Sequence, residues 1–380
     1  MDDNHVDIPP LGPLRILDFS RILAGPFATM LLADLGADVV KVERPGAGDE
    51  TRSWGPPFDA QGRATYFQSV NRNKHSVVLD LTAEGDLARA RELARNADVV
   101  VENFRPDVMD KLGLGYEQLA VDNPGLIFCS ITGFGSGAGA ELPGYDLLVQ
   151  ALGGLMSITG SPESEPQKVG VALVDILAGL FSSVGILAAL RHRDRTGEGQ
   201  RVEVNLLSSL LAGLVNQASA YTIAGSVPGR MGNAHPSIAP YELYRTGDGD
   251  LVVAVGNERQ FAALCEVLDA PELAADPRFG SNRDRVAHRA ALKDELVARL
   301  ASAPASKWAA RLTAARVPAG VVNDLAGAFE LARSVGLEPV VEVPSHPVPA
   351  APSAATVPLT RNPIRLSRTP PTYRSAPPDL

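Results

Sequence analysis

LRILDFSRILAGPFATMLLADLGADVVKVE, residues 14–43, reads as strand, turn, helix and strand. Leu14-Arg15-Ile16-Leu17-Asp18-Phe19 is an apolar run of strand length, Ala24-Gly25-Pro26 is a turn, and Phe27 to Leu35 carries helical spacing. Asp38-Val39-Val40-Lys41-Val42-Glu43 is then a second strand. The alternation continues with a strand from His75 to Leu81, a charged amphipathic helix from Ala83 to Asn96, and strands at Asp98–Glu102 and Leu126–Ile131. Strands alternating with helices predict an α/β fold with a parallel, doubly wound, Rossmann-like sheet in a large domain covering residues 1–200.

Farther along, Asp175 to Arg191 and Asn205 to Ile223 read as two long apolar helices joined by Thr196-Gly197-Glu198-Gly199-Gln200, so residues 201–225 are expected to form a linker helix. Residues 226–240 are loop-like. A smaller α/β domain over 226–320 follows, with a strand at Leu251–Val255 and helices near 258–268, 283–302 and 306–315. From about residue 337 proline dominates, which predicts a tail laid over a surface.

The 380 residues carry 35 Lys and Arg against 44 Asp and Glu, a net charge of −9, and hydrophobic residues make up 45%. That profile belongs to a soluble globular chain without the basic stripe of a nucleic-acid binder. Arg191-His192-Arg193-Asp194-Arg195 is short, broken by an acid, and suited to a helix end. The two cysteines, Cys129 and Cys265, are far apart, as in a reduced cytoplasmic setting. The longest apolar run, Ile176 to Leu190, is interrupted by Gly and Ser and falls short of the roughly 18–20 residues of a membrane span. Six scattered histidines show no metal-ligand spacing, and no metal is expected.

Three segments carry candidate chemistry. Thr132-Gly133-Phe134-Gly135-Ser136-Gly137-Ala138-Gly139 follows a strand but runs into Pro143 and Gly144 instead of a helix, so it reads as a mobile loop rather than a dinucleotide fingerprint. Lys41 to Gly46 and Asn103-Phe104-Arg105-Pro106 both follow strands, where doubly wound folds bind ligands. These two are open to reading as ordinary loops with solvated arginines or as a site for a phosphorylated nucleotide. Asp175 is the only charge between Lys168 and Arg191. It reads as the N-cap of an apolar helix, and that reading does not exclude a carboxylate nucleophile, kept ionised by helix amides and stripped of water.

Taken in order, the segments resemble the family III CoA-transferases, the group of formyl-CoA transferase and carnitine CoA-transferase. The matching stretches are 17–26, 34–45, Gly48-Asp49-Glu50-Thr51-Arg52, Asn71-Arg72-Asn73-Lys74, Glu102-Asn103-Phe104-Arg105-Pro106, Gly144-Tyr145-Asp146 and the segment around Asp175. The resemblance implies an interlocked-ring homodimer in which residues 322–380 join 1–200 in the large, CoA-binding domain. It implies that Asp175 is the catalytic nucleophile, that coenzyme A enters as substrate with no permanent cofactor, and that Arg44, Leu79, Asn103, Phe104, Arg105, Lys111 and Tyr145 bind it. Gly232, Asn233, Ala234 and His235 match the loop that shields the intermediates. The α-methylacyl-CoA racemases of the same group need a His where this chain has Tyr145, and Arg245 stands at their glutamate position. A phenol is a poor base at neutral pH, which disfavours racemase chemistry. A non-catalytic CoA-binding protein is the remaining alternative. The stretches 51–57 and 235–241 are similar to transferases that take CoA from succinyl-CoA to a dicarboxylate such as glutarate.

Overall fold

Strands β1 (Arg15–Asp18) and β2 (Asp38–Glu43) pair in parallel, Arg15 opposite Asp38 and Asp18 opposite Lys41, with the helix Ala24–Asp34 crossing between them. This is the geometry of the computed structural model, which describes residues 9–345 and 356–380. β3 (Lys74–Val78), β4 (Val99–Glu102), β5 (Ile127–Thr132) and β6 (Gln200–Asn205) complete a parallel sheet of order 3-2-1-4-5-6. That is the doubly wound order, whose switch point lies between β1 and β4. Val99, Val100 and Val101 are fully buried, as expected of a central strand covered on both faces.

β6 corrects the expected linker helix over 201–225. Residues 200–205 form the sheet's edge strand, and two shorter helices follow, Leu206–Gly213 and Val215–Ala224. The alternation Arg201-Val202-Glu203-Val204 is a strand signal that the apolar run behind it masks.

The long helix Leu173–Thr196 is apolar enough, by length and composition, to cross a membrane. Its 24 residues exceed the interrupted run 176–190 read from the sequence. In this fold Val174, Ala178, Gly179, Ser182, Ile186, Ala189 and Leu190 are buried, one face of the helix lying against Ala24–Asp34. Gly179 permits that approach: a Cβ there would come within 2.7 Å of the Ala24 carbonyl oxygen.

The chain forms two compact units. The first comprises 1–155, 168–226 and 338–380, and the second 156–167 and 227–337. In the second, an antiparallel sheet of β7 (Tyr241–Arg245), β8 (Asp250–Ala254) and β9 (Ala319–Val321) packs with helices around Phe261, Leu264, Leu292, Leu296, Trp308 and Leu312. It also holds a helix at Leu325–Ser334, capped by Asp324, that the sequence reading does not anticipate. In the proline-rich tail two strands, Val340–Pro344 and Thr356–Thr360, pair antiparallel. Both strands are edges, the place in a sheet where prolines such as Pro344 and Pro358 are tolerated. Beyond them the tail is tied down at Asp34. Arg72 grips that carboxylate in bidentate fashion (2.9 and 2.6 Å), and Asn362 donates to it at 3.0 Å.

Candidate active site

Glycines bring a strand end and a helix start together. Behind β5 the chain runs out through the Gly-rich loop and returns so closely that a Cβ on Gly133 would sit 2.5 Å from the Gly144 Cα, and one on Gly144 2.6 Å from the Gly133 Cα. This back-to-back pair sets Tyr145 at the head of the helix Asp146–Leu152. Asp146 then faces the first turn of Leu173–Thr196. Its Oδ1 accepts from the Val174 amide at 2.8 Å and the Asp175 amide at 3.3 Å, and its Oδ2 accepts from Gln150 at 2.6 Å.

Asp146, then, supplies the cap that Asp175 was expected to provide for itself. The N-cap residue is Ala172, and Asp175 lies in the first turn with its side chain unused for capping. Burial pushes the Asp175 carboxyl up to about 7, and the Asp146 charge adds to the rise. The expectation of a carboxylate kept ionised by its helix is thereby corrected: desolvation and a like charge outweigh dipole and amides. Such a group is half-ionised near neutrality and poorly hydrated.

Asp175 opens into a pocket lined by the carboxyl ends of the strands around the switch point. Arg21 and Ile22 follow β1, Asn103 to Pro106 follow β4, Thr132 ends β5 and Gly133 to Gly135 follow it, and Tyr145 and Leu206 close the wall. Four of the seven positions assigned to CoA by resemblance thus meet Asp175 in one cavity: Asn103, Phe104, Arg105 and Tyr145. Tyr145 is 62% exposed. Asn103 is already engaged, donating to the Arg21 carbonyl at 2.8 Å and accepting from the Arg21 amide at 2.9 Å. The Arg21 guanidinium lies 5.2 Å from the centre of the Phe104 ring.

The other three lie apart. Arg44 is exposed and reaches the pocket only through Glu50, which pairs with Arg21 at 2.6 Å and with Arg44 at 3.7 Å. Lys111 is exposed at the end of the short helix Val108–Lys111. Leu79 is buried in the core beside Leu17, Val42 and Val100, and its amide donates to the Glu43 carbonyl, so its side chain offers nothing to a ligand. Gly232, Asn233, Ala234 and His235 belong to the second unit. There Gly232 donates to the Gly160 carbonyl and His235 to the Tyr241 carbonyl, and Arg289 grips the His235 and Pro236 carbonyls at 3.0 and 3.1 Å. Arg245 pairs with Asp250 on the exposed face of that unit's sheet.

Lys41 is a second correction. It is no strand-end cation for a phosphate: its ammonium is fully buried, 2.9 Å from Asp49 and 2.8 Å from the Ser20 carbonyl. Lys74 is likewise buried against Asp18 at 3.1 Å, and Glu43 against Arg52 at 2.6 Å. Burial by itself would raise Asp18, but Lys74, Lys41 and the Ser20 and Thr29 hydroxyls hold its carboxyl below the usual range. Much of the motif set 17–74 is therefore a buried ion network that locks β1, β2 and β3 under the pocket.

The sequence reading missed Arg21, Asp146 and Tyr66. The Tyr66 phenol is pushed up to about 12 by burial and then by the charges of Asp175, Asp146 and Asp49, which places it in the electrostatic field of the site. Its ring meets Trp54 edge-on at 5.4 Å. Asp146 had a signal in the sequence, an acid opening an apolar helix; Tyr66 had none.

Compared with known proteins, residues 11–380 match the model of CoA-transferase family III. The chain is 45% identical over 384 residues to a succinate–glutarate CoA-transferase of Agrobacterium fabrum, covering 98% of this chain and 93% of that one. It is 43% identical over 349 residues to an acetyl-CoA:oxalate CoA-transferase of Acetobacter aceti, covering 89% of each. Among solved structures, a CAIB/BAIF family protein from Brucella suis superposes with a TM-score of 0.84 at 44% identity, covering 98% of this chain and 96% of that one.

Proposed function

Because the chain belongs to CoA-transferase family III, we propose that it moves coenzyme A from succinyl-CoA to a small dicarboxylate, with glutarate the first acceptor to test and Asp175 the nucleophile. The observation that carries this reading is the Asp175 carboxyl, underhydrated and half-ionised near pH 7, facing a pocket made of strand ends.

In the proposed cycle, the Asp175 carboxylate attacks the thioester carbonyl. The carbon–sulfur bond breaks, and an aspartyl–acyl anhydride and CoA thiolate result. The thiolate attacks the Asp175 carbonyl carbon, forming an aspartyl–CoA thioester and releasing the donor acid as its carboxylate. The acceptor carboxylate attacks that thioester, giving a second anhydride and thiolate. The thiolate then takes the acceptor's acyl group and frees Asp175. No water or redox partner enters, so the energy of the thioester is kept.

Arg105, Phe104 and Tyr145 line the route to Asp175, while Asn103 holds the β1 and β4 loops together. Arg44 and Lys111 remain outer phosphate partners by resemblance. By the same resemblance the Gly232–His235 loop keeps water from the intermediates, as a reactive anhydride requires.

The dicarboxylate assignment draws on the relatives: the Agrobacterium protein is named for succinate and glutarate, the Acetobacter protein for oxalate. One methylene changes selectivity by only about 1–3 kcal/mol in an apolar pocket, so chain length is a matter for assay. Incubation with succinyl-CoA and a panel of mono- and dicarboxylic acids is the test. Glutaryl-CoA formation is the expected result. Exchange of an α-proton with deuterated water, without CoA reaching any acid, overturns the reading.

A further inference from the structure

Behind the Asn103–Pro106 turn lies a buried carboxylate that the proposed cycle does not use. Glu102 is the last residue of β4 and is 5% exposed. It stands opposite Ser130 in the register of β4 and β5. Its Oε2 accepts from the Phe104 amide at 2.8 Å, and its Oε1 accepts a short bond from the Ser130 hydroxyl. Glu102 lines a second cavity together with Arg201 and Tyr116, and this cavity shares Arg105, Pro106 and Thr132 with the first.

We propose that Glu102 is a positioning residue for the CoA-bearing substrate, its carboxylate clamping the Phe104 amide to β5 so that Phe104 and Arg105 are held at the pocket wall.

The inference rests on the reading that this turn receives CoA. The turn needs such a clamp. Beyond β4 the backbone leaves the sheet ladder, so the Phe104 amide must find another acceptor or remain unpaired. Burying a carboxyl costs desolvation that two hydrogen bonds only partly offset. Burial accordingly pushes Glu102 up to about 7, against the bonds from Ser130 and Phe104. Gln in its place keeps an acceptor for the amide and a group that reaches Ser130, whereas Ala keeps neither.

The test is CoA binding by titration calorimetry, with steady-state kinetics on succinyl-CoA, for Glu102→Ala, Glu102→Gln, Ser130→Ala and Arg105→Ala. Loss of the clamp predicts that Glu102→Ala weakens CoA binding and raises KM about tenfold, with kcat changed less than about threefold. Glu102→Gln restores both to within about threefold, a rescue that depends on the two bonds. Should Glu102→Ala fold poorly, Ser130→Ala, which removes one bond, carries the same expectation at a smaller size. If Arg105→Ala weakens CoA binding while Glu102→Ala and Ser130→Ala bind as the wild type does, the CoA site stands and the positioning role fails. A drop in kcat at unchanged KM in Glu102→Ala also overturns it. If Arg105→Ala leaves CoA binding unchanged, the turn is not the CoA site, and both readings fall.

Discussion

Asp175 and Asp146 divide between them two roles that one residue was expected to hold. Asp146 satisfies the helix amides, and Asp175 is left with a desolvated carboxyl raised to about 7. A nucleophile must be ionised, so kcat/KM for succinyl-CoA should rise with pH, about tenfold per unit well below 7, and level off above it. A profile flat between about pH 5.5 and about pH 8.5 contradicts that assignment. Asp146→Asn keeps an acceptor for the Val174 amide but removes the negative charge. The charge raises Asp175, so its removal lowers the apparent pKa and moves the rising limb toward acid. A limb that stays in place, or moves toward base, shows that Asp146 does not set the Asp175 charge. None of this was legible from Asp175 alone. Its neighbours in sequence are apolar, and its controlling partner lies 29 residues upstream.

At the scale of elements, the strands were the most legible part. β1, β2, β4 and β5 lie where runs such as Ile16-Leu17 and Val99-Val100-Val101 place them, because a buried parallel strand is apolar on both faces, while the edge strand β3 spans Lys74–Val78 rather than the expected 75–81. β6 was hidden, since an edge strand with alternating Arg201 and Glu203 merges into the helices on either side. The motif residues were legible as a set but not by role. Lys41 reads in the string as a strand-end cation for a ligand, whereas in three dimensions Lys41, Glu43 and Lys74, all within the sheet's own strands, are buried in ion pairs. The Gly133–Gly144 contact was legible only as a glycine-rich loop. The close approach of these two backbones sets Tyr145 and Asp146, so Gly144→Ala is expected to cost about 1–3 kcal/mol of stability by overpacking. It should also depress transfer by displacing Asp146 from the helix start. Chemical denaturation alongside an activity assay checks this, and an Ala variant with wild-type midpoint and rate refutes the packing account.

For the whole molecule, the helix Leu173–Thr196 buries one face and leaves Leu180, Phe181, Val184 and Leu187 substantially exposed, and Tyr221 and Ile223 protrude from Val215–Ala224. Apolar patches of this kind mark association surfaces. They are compatible with the interlocked homodimer that the family resemblance implies. Sedimentation should give a mass twice that of the 40.0 kDa chain, and a monomer at micromolar concentration refutes it. Periodicity was enough to read five of the sheet's six strands, but only the ordered set of motifs pointed to the chemistry. The individual residues, taken singly, admit bland readings.

The proposed mechanism requires a covalent bond to one side chain. Incubating the protein with succinyl-CoA, trapping with hydroxylamine and mapping the peptides by mass spectrometry tests it most directly. The expected result is a hydroxamate on Asp175, absent without succinyl-CoA and absent in Asp175→Ala, with transfer in that variant reduced on the order of 10³-fold or more. An unmodified Asp175 in protein that turns over under the same conditions, or a hydroxamate on another carboxylate, would contradict it.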